Sequence, residues 1–198
     1  MSLELVNTLA TFGTFVVIAA TAIAAIVQLR HARSSNQIAA LNELSETTQK
    51  PDFVGARLFV QTQLAAKLED PAFRYQVDHS SARTDEMKLV IAKVVEFGNF
   101  WENMGTLVKA GFVDRDLALE IWTYNLTEAW EKLAAFTAII RRRLGPGLWQ
   151  NFEYLTVLAQ DWEAAHPKGT YPAGVRRIDL KDEWLEADKQ YAASLAPA

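Results

Sequence analysis

The pattern of apolar and polar positions divides the chain sharply near residue 30. Residues 5–29 contain no charged side chain, and Arg30, His31 and Arg33 follow at once. A helix rises about 1.5 Å per residue, so a run of this length crosses the roughly 30 Å hydrocarbon core of a bilayer. The pattern therefore predicts a transmembrane helix with Leu5 and Leu29 at its ends. A secretory leader has a basic start, a shorter apolar stretch and a small-residue cleavage site. Here Glu4 precedes the run, no Lys or Arg does, and Ala19, Ala20, Ala22, Ala24 and Ala25 lie inside it. Lys and Arg are retained on the cytoplasmic side of a span. Arg30 and Arg33 thus place the N-terminus outside and the bulk of the chain in the cytoplasm. Arg30, His31 and Arg33 fall at headgroup level.

No proline interrupts the chain before Pro51, so the same helix is expected to continue through Ile38, Leu41 and Leu44 to near Gln49. Lys50 ends it, because the residue before a proline avoids the helical region. Pro51 opens a second helix with Phe53, Val60, Leu64 and Leu68 on one face, reaching Glu69. Pro71 opens a short piece to Asp78, and His79, Ser80 and Ser81 read as loop. Thr84 caps the next helix, whose apolar stripe is Met87, Val90, Ile91, Val94, Trp101, Met104 and Val108. Gly111 ends it. Asp114 caps another, with the stripe Leu119, Trp122, Leu126, Ala129, Leu133, Phe136 and Ile140. Gly145, Pro146 and Gly147 break the chain before a helix carrying Leu148, Phe152, Leu155, Leu158 and Trp162. From residue 167 the pattern weakens, with an extended stretch over 174–180 and a last helix over 180–193. No set of alternating strands is present. The expected fold class is all-α: one N-terminal transmembrane helix continuing into a cytoplasmic antiparallel helical bundle. The expected domains are 1–29, tail and span; 30–50, juxtamembrane extension; 51–166, helical bundle; and 167–198, a tail with a short helix.

Within the span, Gly13, Val17, Thr21 and Ala25 recur at four-residue spacing. Small residues allow close helix approach, so this face points to packing against another transmembrane helix, a second copy or a partner protein. Composition narrows the chemistry further. The chain has no cysteine, which excludes disulfides, thiol catalysis and cysteine-held metals. A net charge of −4 speaks against nucleic acid as a partner, because such surfaces carry a dense basic stripe. Six Trp and ten Phe are read chiefly as core.

Four segments resemble a family of small bacterial single-pass membrane proteins classed as a domain of unknown function. They are residues 26–44 (IVQLRHARSSNQIAALNEL), 97–122 (FGNFWENMGTLVKAGFVDRDLALEIW), 151–155 (NFEYL) with Trp162, and 171–184 (YPAGVRRIDLKDEW). The resemblance implies a bacterial origin and an anchor followed by helices. It carries no activity and no catalytic residue.

Candidate chemistry is sparse. Glu163 and His166 have a metal-like spacing, but a di-iron bundle needs two such pairs and further carboxylates, and the chain has only three His. No metal or cofactor is expected. Glu96, Glu102, Glu120, Glu128, Glu131 and Glu153 dot the central helices; acid–base work would require two of them to converge in a cleft. Arg141, Arg142 and Arg143 suit a helix C-terminus, or else an anionic partner. Phe97, Phe100, Trp101, Trp122, Trp130, Phe136 and Trp149 are core residues first and pocket walls second. No phosphate loop, dinucleotide fingerprint, nucleophile elbow or zinc-protease pair occurs. The expected function is non-enzymatic, a membrane-anchored interaction module serving as an oligomer or an accessory subunit of a larger membrane complex. The alternative is a sensor that binds a small apolar ligand or a lipid between aromatic-rich helices.

Overall fold

The computed structural model describes residues 3–195, except the side chains of Leu5, Val6, Leu9 and Ala10. The described residues form eight α-helices and one 3-10 turn, so the chain is all-α. Helix α1, Leu3–Gln49, is 47 residues long, or about 70 Å. The hydroxyls of Thr8, Thr11 and Thr21 donate to carbonyls four residues back, which lets polar side chains sit in an apolar helix. Lys50 is extended, as a residue before proline should be, and Pro51 starts α2, Pro51–Thr62.

The second predicted helix is not continuous. It breaks at Gln63, and α3 is Leu64–Glu69. No proline or glycine marks the break, yet Phe59, Val60 and Leu64 are all buried across it. Helix α4, Pro71–Asp78, is capped by the Asp70 carboxylate, which accepts from Ala72 N at 2.8 Å. Arginines close the exposed ends of these short helices. Arg74 donates to the carbonyls of Leu68 and Glu69, and Arg83 to those of Gln76 and Val77. The predicted loop at 79–81 is instead the 3-10 turn Ser80–Ala82.

Helix α5, Asp85–Lys109, begins at Thr84, whose hydroxyl accepts from Met87 N. Helix α6, Arg115–Leu144, begins at Asp114, whose carboxylate accepts from Leu117 N. Helix α7 is Gln150–Ala165. The α6 stripe is buried throughout, and the α5 stripe is buried except for half-covered Val90. In α7, Phe152 and Leu155 are buried, whereas Leu158 and Trp162 lie half-covered at the edge of the core; Leu148, expected in this helix, lies in the turn before it and is also half-covered.

Helix α5 is central, packed by α2 and α7, with α6 against α7. Phe53 sits edge-on to Phe100, Phe100 to Trp101, and Phe152 to Trp130. Each such ring, fully buried, contributes about 1.5–3 kcal/mol through lost apolar contact with water. Phe53, just past the end of α1, rests on Phe97 and Phe100, while Arg33 near its middle lies beside Gly111 at the far end of α5. Helices α1 and α5 therefore run antiparallel.

The chain separates into two units, Met1–Pro167 and Lys168–Ala198. In the second, Tyr171 donates to the Arg176 carbonyl and Arg177 lies over the Tyr171 ring. Residues 174–180 form no strand, and the last helix, α8, is Leu185–Ser194, starting five residues later than expected. The reason is local: the Asp182 carboxylate accepts from Trp184 N and holds a turn there.

Candidate functional site

The long helix offers the first candidate. Over Thr11–Gln49 its apolar window has a mean hydropathy of 2.2 and none of it is buried. Gly13, Val17, Thr21, Ala25 and Leu29 are all exposed, as are Phe12, Phe15, Ile18, Ile23 and Ile26; the Leu5 side chain lies outside what the structure describes. Nothing lies within 4 Å of a Cβ placed on Gly13, so its close-approach surface is open. The Thr21 hydroxyl donates to the Val17 carbonyl at 2.8 Å, which leaves its oxygen free to accept but not to donate across helices. Arg30, His31 and Arg33 are exposed. Among the described residues only the last turns of α1 enter the core: Leu44 belongs to it and Ala40 and Leu41 pack against it, while the Arg33 side chain reaches the turn at Gly111.

Where α1 meets the body it stands off from α5 and leaves a groove of about 850 Å³. One wall is Ala40, Glu43, Leu44 and Thr47; the other is α5 from Ala92 to Leu107, with Phe53 and Phe100 between them. Leu44, Val95, Phe100 and Leu107 make it apolar, while Asn99, Asn103 and Thr106 supply a polar strip at helical spacing on α5. That strip was the one sequence signal for the groove, because it faces away from the buried stripe.

A second cavity, of about 100 Å³, lies between α2, α5 and α6. Phe97, Trp101 and Trp122 line it, with Gln61, Asn125 and Glu128 among its polar walls. The Trp101 indole N–H is buried and has no hydrogen-bond partner among the described residues. The remaining aromatics named from the sequence pack together: Trp130 on Phe152, and Phe136 stacked on Trp149. The larger groove is thus bounded by α1 and α5 rather than enclosed by the aromatic helices.

The carboxylates go to separate places. Glu102 accepts from Asn151 N and Phe152 N at 2.9 Å and from Asn151 Nδ2 at 2.8 Å, capping α7 from a neighbouring helix. Glu153 pairs with Arg141 at 2.7 Å, and Gln61 donates to Glu128. Glu120 and Glu131 are exposed on α6, and Glu96 lines the α5 wall of the groove whose α1 wall carries Glu43. His166 hydrogen-bonds the Trp162 carbonyl through Nδ1 and lies on the Trp162 ring.

The arginine run falls in the last turn of α6, as expected of a helix C-terminus, and two of its side chains also bond carbonyls outside the helix. Arg141 donates twice to the Leu148 carbonyl, and Arg143 donates to the Asp78 carbonyl at the end of α4. Burial, and then neighbouring Arg143, push the Arg83 guanidinium below the ordinary arginine value. Hydrogen bonding to Asp116 raises that of Arg115.

Trp149, read from the sequence only as a core aromatic, makes a close contact with α5 through Gly98 and Asn99, which the sequence did not single out. Trp149 adopts a left-handed backbone (φ 52°) and is buried, and its indole N–H donates to Asn99 Oδ1 at 3.0 Å. Gly98 and Gly105 on α5 make room for Trp149 and for the Asn151 backbone.

No curated protein matches the chain, and no solved structure does. A family model does match, from Phe15 inside the apolar run of α1 to Trp162 in the last turn of α7, and so takes in both walls of the groove. The chain belongs to the family described as a domain of unknown function, DUF4760, over residues 15–162.

Proposed function

We propose that this protein is a membrane-anchored helical interaction module on the cytoplasmic face of a bacterial inner membrane, working as an oligomer or as an accessory subunit of a larger membrane complex. One observation carries the reading: an uncovered apolar helix continues without a break into the core of the body. A detachable leader has no reason to be built into the domain it precedes. Here Leu44 of the same helix is core, and the family match begins within the apolar run. A water-soluble protein would leave that much apolar surface uncovered at great cost.

The absence of cysteine makes the test clean. Leu3→Cys and Ser35→Cys variants, expressed in cells and treated with a membrane-impermeant maleimide, report the two ends of the span. Labelling of residue 3 in intact cells, and of residue 35 only after permeabilisation, supports the anchor and its direction. Equal labelling of both in intact cells contradicts it. For the interaction role, gently solubilised full-length protein should sediment as a complex. A lone monomer that brings no partner with it counts against that role.

The groove favours a second reading, a sensor of a lipid or another apolar molecule. Its 850 Å³ lies within the roughly 300–1,000 Å³ typical of ligand sites. Ala40→Trp and Leu107→Trp would fill it. If extracted protein carries a lipid that both variants lose, the sensor reading gains. If no lipid is retained by the unaltered chain, it falls.

A further inference from the structure

We propose that the turn between α5 and α6 is a second membrane contact, in which Phe112 enters the lipid interface beside the span. The inference rests on α1 being a membrane anchor, and its own ground is position. The Arg33 guanidinium lies 3.7 Å from where a Cβ on Gly111 would sit, which puts this turn within the reach of the Arg33 side chain. Arg33 is four residues past Leu29, about 6 Å along the helix axis. The polar zone outside the hydrocarbon core is about 5–8 Å deep on each side. A turn reached by the Arg33 guanidinium, itself suited to the headgroup zone, therefore lies near headgroup depth. The antiparallel course of α1 and α5 makes this the membrane-facing end of α5, with Leu89 near the opposite end, roughly 30 Å away.

The turn is built to hold an aromatic ring outward. Gly111 takes φ +74°, and the backbone N–H groups of Phe112 and Val113 both donate to the Leu107 carbonyl, at 2.9 and 3.2 Å. Val113 is buried in the core, while Phe112 next to it is 63% exposed. One residue pins the turn to the body and its neighbour projects from it. A Phe ring at the headgroup–acyl boundary buries apolar area there, as Trp, Phe and Leu do on the apolar face of interfacial helices.

The surrounding charges permit this. Lys109 and Arg115 balance Asp114 and Asp116. Asp114 is engaged by Leu117 N and Asp116 by Arg115. Arg33 adds a positive charge toward anionic lipid. Two contacts, span and turn, would fix the tilt of the body on the membrane and with it the outlook of the groove.

The cysteine-free chain allows site-directed spin labels in the full-length protein, reconstituted in vesicles of mixed phosphatidylcholine and phosphatidylglycerol. Labels go at Phe112→Cys, at Ala110→Cys (which keeps Phe112), at Leu89→Cys as an exposed distal control, and at Val17→Cys within the span. Collision with a water-soluble nickel chelate is compared with collision with oxygen. The expected result is nickel accessibility at 110 and 112 several-fold below that at 89, with 17 lower still. Accessibility at 110 and 112 equal to that at 89, while 17 reports lipid, overturns the second contact and leaves the anchor standing. A label at 17 that reports water overturns both.

Discussion

Gly98 and Trp149 are fitted to each other: the indole ring of Trp149 occupies the space that a side chain at residue 98 would need. The ring cannot swing away without losing its bond to Asn99 and its stacking on Phe136. Gly98→Ala therefore overpacks a full interior, at about 1–3 kcal/mol. Thermal unfolding in detergent should show a midpoint several degrees lower. Gly13→Ala, where nothing lies within 4 Å, should leave it unchanged.

Glu102 does for α7 what a capping residue does from within a helix, although it belongs to α5. Glu102→Ala removes the acceptor of two first-turn amides and should cost about 1–3 kcal/mol. Glu102→Gln keeps one acceptor oxygen and should cost less. A double-mutant cycle with Asn151→Ala should give a clear coupling energy, because the Asn151 amide shares the same carboxylate.

Arg141 ties three things together: the Leu148 carbonyl, the Glu153 carboxylate, and the face of Trp130, whose centroid is 5.8 Å away. Only a planar guanidinium reaches all of them. Arg141→Lys should lower stability by about 1–2 kcal/mol, read as an earlier urea midpoint with an unchanged slope. If lysine substitutes without loss, the forked contact to Leu148 does not matter.

What the sequence disclosed, and what it hid, follows from where the information lies. The stripes of α5 and α6, the caps Thr84 and Asp114 and the stop at Gly111 are local patterns, and the structure has them all. The break at Gln63 carries no local signal: Val60 and Leu64 are four residues apart and would share the buried face of an unbroken helix as well. Trp149 is similar. The Gly145, Pro146 and Gly147 run marked a break, but the left-handed residue is a tryptophan held by α5 and α6, so tertiary packing overrode local preference. The groove was hidden for the same reason, since its walls lie about fifty residues apart in the chain. Its polar strip on α5 was visible, but nothing local said what it faced.

The small-residue face of α1 gives a separate expectation. If copies of the chain pair through Gly13, Val17, Thr21 and Ala25, a bulky side chain at residue 13 should part them. Gly13→Ile should weaken self-association roughly five- to tenfold, about 1–1.4 kcal/mol, by energy transfer between labelled copies in vesicles. The same variant should leave the unfolding midpoint of the body unaltered. Undiminished transfer would show that copies do not meet through this face.

The most direct measurement is extraction of native membranes with alkaline carbonate, applied to the full-length chain and to Val17→Arg. Arginine at the centre of a span costs about 2.5–3.5 kcal/mol of insertion free energy. The account predicts that the unaltered protein stays with the lipid pellet and that a substantial fraction of Val17→Arg is released. Release of the unaltered protein into the supernatant, folded and without detergent, would contradict it.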